Sequence, residues 1–328
     1  MTLKKYSSET AHPKEHLDED ERIIAGALVA ARTRTLEREP LIQELSEEEK
    51  IRRINELRPI MFGRRENGEA FHELNDFELA LIEGEIKKYV QEKKLRVLEQ
   101  TPDLSRLYGV IRRDLLTGRE ETSPRQFREA SRQITSRVLK DVVENNELDK
   151  SKTVFLLPWR AGLAFGEGAA ENGFSFFYHL GAKRNEETLK TEINYENIPA
   201  VIDSRNPGNN EGLKAIITDP MLATGNTMID AVKRLKNLGI REENILIASV
   251  ISAPEGVDHI LSNFPKIKIT VGVHDERLNS RGFIVPGLGD FGDKYFAGLG
   301  EPELQSWLHL GVLTRDSADA LRGRIGRK

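Results

Sequence analysis

Residues 215–227 read AIITDPMLATGNT: an apolar run, an aspartate, then a short loop that closes on a helix. A parallel sheet presents backbone N–H groups and a helix N-terminus to a phosphate in this way. A phosphate-bearing sugar needs several such donors around its 5′-phosphate. Ala223, Thr224, Gly225, Asn226 and Thr227 supply amides in a tight turn, and Thr224 and Thr227 add hydroxyls. Gly225 permits a backbone conformation that other residues reach only at a cost. Asp219, at the end of the apolar run, stands where ribose hydroxyls would lie. The competing reading is a plain strand-to-helix turn. A second string, IVPGLGDFGD at residues 284–293, is a glycine-rich turn with two aspartates and one proline. It is a poor core segment and suits the grip of a small planar ligand. Arg160 and Arg184 add cations whose guanidinium forks match phosphate oxygens two at a time; surface ion pairs are their alternative use.

The elements that must hold these groups follow from pattern. Residues 1–98 are charged and show no strand-like alternation. Three helices are expected there. One runs over Asp18–Arg38, one follows the capping box Ser46–Glu49, and one is capped at Asn75 or Asp76. Their apolar stripes imply burial against this chain's own core or a partner. From about Val97 the texture becomes α/β. A helix is expected over Arg125–Asn145, strands over Thr153–Leu157, Phe174–Leu180, Ala215–Thr218, Ile245–Ile251 and Lys266–Val273, and helices over Gly162–Asn172 and Thr227–Leu238. The alternation predicts a parallel sheet with right-handed crossovers, with ligands beyond the carboxyl ends of its strands. Residues 203–212, polar and turn-rich, read as a mobile loop. Residues 300–328 read as a solvated tail with a basic end.

Composition narrows the class. The chain has 328 residues, 38% hydrophobic and 31% charged, and a net charge of −4. It reads as a globular protein with at least one large core. Near-neutral charge argues against a general nucleic-acid coat. Zero cysteines exclude disulfides and thiolate nucleophiles or metal ligands, and fit a cytoplasmic protein. No apolar stretch approaches the roughly 20 residues that span a bilayer, and the N-terminus lacks the apolar centre of a signal peptide. No histidine falls in a metal-ligand pattern. His179 and His274 read as packing or hydrogen-bonding residues.

Asp219–Thr227, with Pro220, Met221 and Leu222 between the aspartate and the turn, resembles the phosphoribosyl-pyrophosphate motif of the uracil phosphoribosyltransferases. Residues 284–293 resemble their base loop. Further matches occur in order: residues 157–163 (LPWRAGL), 184–189 (RNEETL), 253–257 (APEGV) and 275–279 (DERLN). The resemblance covers residues 97–299, about three-fifths of the chain. It implies a type I phosphoribosyltransferase-like parallel sheet flanked by helices, an α-helical extension at 1–96 and a tail at 300–328. It implies phosphoribosyl-pyrophosphate contacts from Arg160, Arg184, the whole of Asp219–Thr227 and Asp290. It also implies uracil contacts from Ile284, Gly289, Asp290 and Phe291, largely through backbone. Asp290 is the catalytic candidate, beside the phosphoribosyl group. The activity implied is uracil plus phosphoribosyl pyrophosphate to UMP and pyrophosphate, in a homo-oligomer. Magnesium is expected to arrive on the pyrophosphate, with no dedicated protein metal site.

The chain departs from the family pattern at several points. Asn226 replaces a usual glycine inside the phosphate turn, Trp159 a smaller apolar residue, Asn185 an aspartate and Lys294 an arginine; Thr101–Pro102 stands where His-Pro is frequent. Arg112 and Arg113 receive no ligand role. Two alternatives stay open. One is a regulatory subunit that binds phosphoribosyl pyrophosphate or a nucleotide without turnover, motivated by Asn226 and Lys294. The other is transfer to a different base, motivated by Trp159 and Phe291.

Overall fold

The computed structural model describes residues 38–62, 71–112, 122–184 and 191–296. The helix expected over Asp18–Arg38, save Arg38 itself, and the tail at 300–328 lie outside the described residues.

Helix α1 spans Glu47–Phe62 and α2 Asp76–Gln91. Ser46 forms only half of the expected capping box. Its Oγ accepts from the Glu49 N–H, but the Glu49 carboxylate turns to Arg52 and Arg53 instead. The complete box sits at Asn75, whose side chain and that of Glu78 each accept from the other's backbone N–H at 3.0 and 2.9 Å. Strand β1 (Leu95–Val97) follows, then α3 (Pro102–Ile111), where Thr101 Oγ1 accepts from the Leu104 N–H. Thr101–Pro102 is thus a helix start. Helix α4 spans Pro124–Asn145 behind its Ser123 cap.

Next come β2 (Thr153–Pro158), α5 (Gly166–Glu171), β3 (Phe176–Arg184), β4 (Thr191–Asn197), β5 (Lys214–Thr218) and the two-residue β6 (Met221–Leu222). Helix α6 (Asn226–Asn237), β7 (Ile245–Ser252), α7 (Pro254–Asn263), β8 (Lys268–His274), β9 (Arg277–Leu278), β10 (Ile284–Val285) and α8 (Phe291–Phe296) complete the described chain. The one helix expected over Gly162–Asn172 is a 3-10 turn (Ala161–Phe165) followed by α5.

The main sheet has the order β1-β8-β7-β5-β2-β3-β4, with β6 beside β7. Every described pair in it is parallel except β3 with β4. The sheet is therefore mixed: the alternation missed β4, which follows β3 too closely for a crossover helix and returns antiparallel. Strands β2 and β7 are buried throughout, because helices cover both faces. Val154 and Leu156 face one cluster with α1, α2, α6 and α7; Phe155 and Leu157 face the other, with α3 and α4. Ile54, Leu57, Leu79 and Ile82 belong to the first cluster, so the N-terminal helices share the core of the sheet.

The polar run 203–212 is tied by its own side chains. Asp203 accepts from the amides of Arg205 and Asn206 and from the Asn209 side chain, and buried Asn210 donates to Asp203 O and Leu238 O. This replaces the expected mobile loop with an Asx-knotted turn.

Helix α2 depends on its reciprocal cap, since among the described residues no other side chain accepts from the first-turn amide of Glu78. Asn75→Ala should destabilise the protein by about 1 kcal/mol, read as a lower urea midpoint at unchanged slope.

Candidate active site

The chain crosses from β4 at one edge back to β5, which pairs with β2 on the side opposite β3. The carboxyl ends of β2 and β5 thus form the topological switch point where open α/β sheets bind ligands. The two loops leaving it touch. A Cβ on Gly162 would come within 2.6 Å of the Thr218 carbonyl oxygen. Arg160 leaves the end of β2 after a cis Trp159–Arg160 peptide, and Asp219 leaves the end of β5.

The phosphate turn is built by β6 and α6. Pro220 O and Leu222 O accept from the N–H groups of Ile251 and Ala253, which locks the start of the turn to β7. Pro220 and Leu222 are buried, so they shape the turn from beneath. Gly225 has φ +80° and ends the turn. Asn226 is the first helical residue, so the glycine alone takes the left-handed position and Asn226 carries no such demand. The first amides of α6 have no intrahelical acceptor, and Asn226 and Thr227 sit exposed there. A Cβ on Gly256 of α7 would meet Ala223 O at 2.2 Å, so α7 supports the turn at backbone contact.

The base turn grows from a two-residue ladder, in which Ile284 pairs with Leu278 and Val285 with Arg277. A cis Val285–Pro286 bond, Gly287 (φ +59°) and Gly289 (φ +78°) turn the chain. A Cβ on Gly287 would strike Ile284 O at 2.1 Å. Phe291 is buried, edge-on to Phe127 at 5.3 Å and stacked on Tyr295. Its ring is core, so only its backbone is available to a ligand, and it cannot select a base by side-chain contact. Trp159 stacks on Tyr195 at 4.7 Å and donates from Nε1 to His179 Nδ1 at 3.2 Å.

The two turns and Arg160 converge. Arg160 NH2 donates to Asp293 Oδ1 at 3.1 Å, and the Asp293 N–H donates to Asp290 Oδ1 at 2.8 Å. Asp290 thereby caps α8 while remaining exposed. Burial pushes the Asp219 carboxyl up to about 7, and the charge of Asp290 adds to the shift. Arg184 ends β3 opposite Thr191, two strands from β5. Among the described residues, no three His, Cys, Asp or Glu side chains cluster closely enough to hold a metal ion. No described helix is long and apolar enough to cross a membrane.

Several groups to which the sequence reading gave no role in the site position these turns. Arg112, fully buried, donates to Asp275 Oδ1 at 2.9 Å, and Asp275 Oδ2 accepts from the Gly287 N–H at 2.9 Å. Glu255, also fully buried, accepts from the Leu278 N–H at 2.9 Å. His274 shares a hydrogen with Ser252 Oγ at 2.8 Å and is pushed down to about 4 by burial. Asp275 and Glu255 lie in the strings 275–279 and 253–257 that resemble the family, and His274 is the hydrogen-bonding residue expected; no linear signal marks their pairing with Arg112, Leu278 and Ser252, which lie far off in the chain.

The uracil phosphoribosyltransferase family model matches residues 131–298. A uracil phosphoribosyltransferase of Aquifex aeolicus is 41% identical over 160 residues, covering 46% of this chain and 68% of the relative. One from Dictyoglomus turgidum is 34% identical over 200 residues, covering 54% of this chain and 89% of the relative. A solved protein structure from Aquifex aeolicus superposes with a TM-score of 0.51 at 30% identity, over 61% of this chain and 98% of the other.

Burial raises the Glu255 carboxyl from 4.5 to about 7, against the opposing Leu278 N–H. A carboxyl with a raised folded pKa favours the folded state while protonated, and that contribution is lost as pH rises through the folded value. Glu255→Gln should therefore gain stability relative to the parent between pH 5 and pH 8. Denaturant midpoints at the two pH values check this; a parallel fall in both proteins would contradict it.

Proposed function

The chain belongs to the uracil phosphoribosyltransferase family, and from that membership we infer that it converts uracil and phosphoribosyl pyrophosphate to UMP and pyrophosphate. What carries the reading is the approach of the phosphate turn, Arg160 and the base turn at one switch point: the Arg160–Asp293–Asp290 contacts join Arg160 to the base turn, and Gly282 lies beside the Thr224 methyl. The bond from the anomeric carbon to pyrophosphate breaks with its electron pair leaving on pyrophosphate. Uracil N1 forms the new bond and releases its proton. The transition state is oxocarbenium-like, by analogy with glycosyl transfer, so positioning and electrostatics are what the protein contributes.

The roles follow from chemistry. The amides of Ala223–Thr227 and the N-terminus of α6 receive the 5′-phosphate. Asp219 accepts from the ribose hydroxyls. Arg160 and Arg184 take the pyrophosphate. Arg160 is well exposed and its contact with Asp293 is a surface ion pair, which contributes little, so exchange of Asp293 for pyrophosphate costs little. Magnesium enters on the pyrophosphate, an ion that favours substrate phosphates over many protein ligands. Backbone groups of Ile284, Gly289 and Phe291 read the uracil edge. Asp290 stands beside the sugar and stabilises the positive charge that develops there. The helical geometry of Asn226 and the buried ring of Phe291 take away one of the two grounds given for each alternative; Lys294 and Trp159 keep theirs.

Two measurements test this. Gly225→Val puts a branched side chain at φ +80°, with Cβ 3.1 Å from Gly256 O. Affinity for phosphoribosyl pyrophosphate should collapse in calorimetry, and an unchanged Kd would remove the turn from the site. Asp290→Asn keeps the shape and removes the charge. Uracil-dependent pyrophosphate release should fall on the order of a hundredfold in kcat, with ground-state affinity nearly kept.

A further inference from the structure

Helices α1 and α2 and the stretch before α2 lie outside the segment matched by the family model, yet they touch both ligand turns. Arg38, 5% exposed, sits at the centre of one contact. Its Nε donates to Asp76 at 2.9 Å, its NH1 to Glu83 at 3.1 Å and its NH2 to Glu276. The Glu276 N–H in turn donates to Val285 O at 3.0 Å, inside the base turn's ladder. Nearby, the Phe71 N–H donates to Ser280 O at 2.6 Å and the Ser280 N–H to Glu73 Oε2 at 3.1 Å. Arg277 reaches Glu73 at 3.5 Å and Leu74 O at 3.4 Å.

The second contact runs to the phosphate turn. Phe62, at the end of α1, stacks flat on His259, with centroids 4.0 Å apart and planes at 6°. His259 Nδ1 lies 2.8 Å from Thr224 O. A carbonyl only accepts, so Nδ1 carries the hydrogen, and burial lowers the pKa of this ring and favours its neutral form. Arg58 and Tyr89 both bind the neighbouring Asp258, fixing the middle of α7 to α1 and α2. The two contacts meet at the hairpin tip, where a Cβ on Gly282 would lie 3.9 Å from the Thr224 methyl and 4.0 Å from the Phe71 ring.

We propose that residues 38–62 and 71–91 act as a positioning brace that sets the base turn through Arg38 and Glu73 and the phosphate turn through Phe62 and His259. The physical need is plain. A two-residue antiparallel ladder is not stable alone, while the groups of a site must hold within about 0.5 Å of their working geometry. The hairpin's partners on its outer side come from the N-terminal segment. The two contacts use different side chains, so the brace positions the two turns through separate groups although the turns approach at the hairpin tip. This inference rests on the assignment of the turns to uracil and phosphoribosyl pyrophosphate.

Full-length variants test it. Arg38→Lys keeps the charge but loses the three-way fork; Glu73→Ala alters a half-exposed side chain and leaves the core intact. Both should speed amide exchange across residues 276–289 with β7 amides unchanged. Both should raise KM for uracil, about tenfold for Arg38→Lys, taking misplacement well below 1 Å, with little change in kcat or in KM for phosphoribosyl pyrophosphate. Phe62→Ala should do the reverse, raising KM for phosphoribosyl pyrophosphate and leaving exchange at 276–289 unmoved. Unchanged exchange in both hairpin variants overturns the brace, whether or not the protein turns over uracil. Faster exchange with equal effects on both KM values overturns the separate positioning of the two substrates. A parent without uracil-dependent pyrophosphate release defeats the functional reading instead; exchange, with calorimetry of phosphoribosyl pyrophosphate on the Phe62 variant, then decides the brace.

Discussion

The buried carboxylate of Asp275 holds together the part of the molecule on which the base turn depends. One oxygen accepts from Arg112 at the end of α3 and the other from the Gly287 N–H. Both side chains are withdrawn from water. Two such charges persist only as a pair, because either alone would face a large desolvation cost. The Arg112 guanidinium also lies 5.3 Å from the centre of the Tyr108 ring. Helix α3, the end of β8 and the glycine turn are therefore fixed by one interaction. Its tolerance is narrow because the backbone at Gly287 already approaches Ile284 O too closely for any side chain.

The neighbouring residue extends the same logic in the opposite direction. Glu276 pairs with Arg38, so two adjacent carboxylates anchor the hairpin to α3 on one side and to the N-terminal segment on the other. The phosphate turn is secured differently. It relies on backbone packing, with Gly256 against Ala223 O and the carbonyls of Pro220 and Leu222 bound to β7. Buried ion pairs dominate at the base turn and close backbone packing at the phosphate turn, where His259 adds one side-chain bond to Thr224 O.

The electrostatics of the switch point follow from this construction. Burial raises the Asp219 carboxyl to about 7, and the charge of Asp290 adds to that shift. Arg160 is drawn to Asp293 at the rim. On the proposed reading, carboxylates beside the sugar and the Arg160 guanidinium toward the leaving group would favour the positive charge that develops on the sugar as the bond to pyrophosphate breaks.

Local chemistry made much of this legible without coordinates. The strand, aspartate and glycine turn of residues 215–227 predict a strand-to-helix turn with free amides at a helix start, and the chain forms that turn. The helix behind Ser123-Pro124 and the apolar strands at 153–157 and 245–251 follow from capping and periodicity, which act over a few residues. The sequence also carried the family resemblance, since its motifs lie in order along the chain. Tertiary structure decided the rest. The return of β4 antiparallel, the helical state of Asn226 and the burial of the Phe291 ring depend on what packs against each. Arg38 and Glu276 stand 238 positions apart, and Arg112 and Asp275 stand 163 apart. No local rule pairs charges at such separations. Only the folded sheet brings them together, and only exclusion of water makes their pairing obligatory.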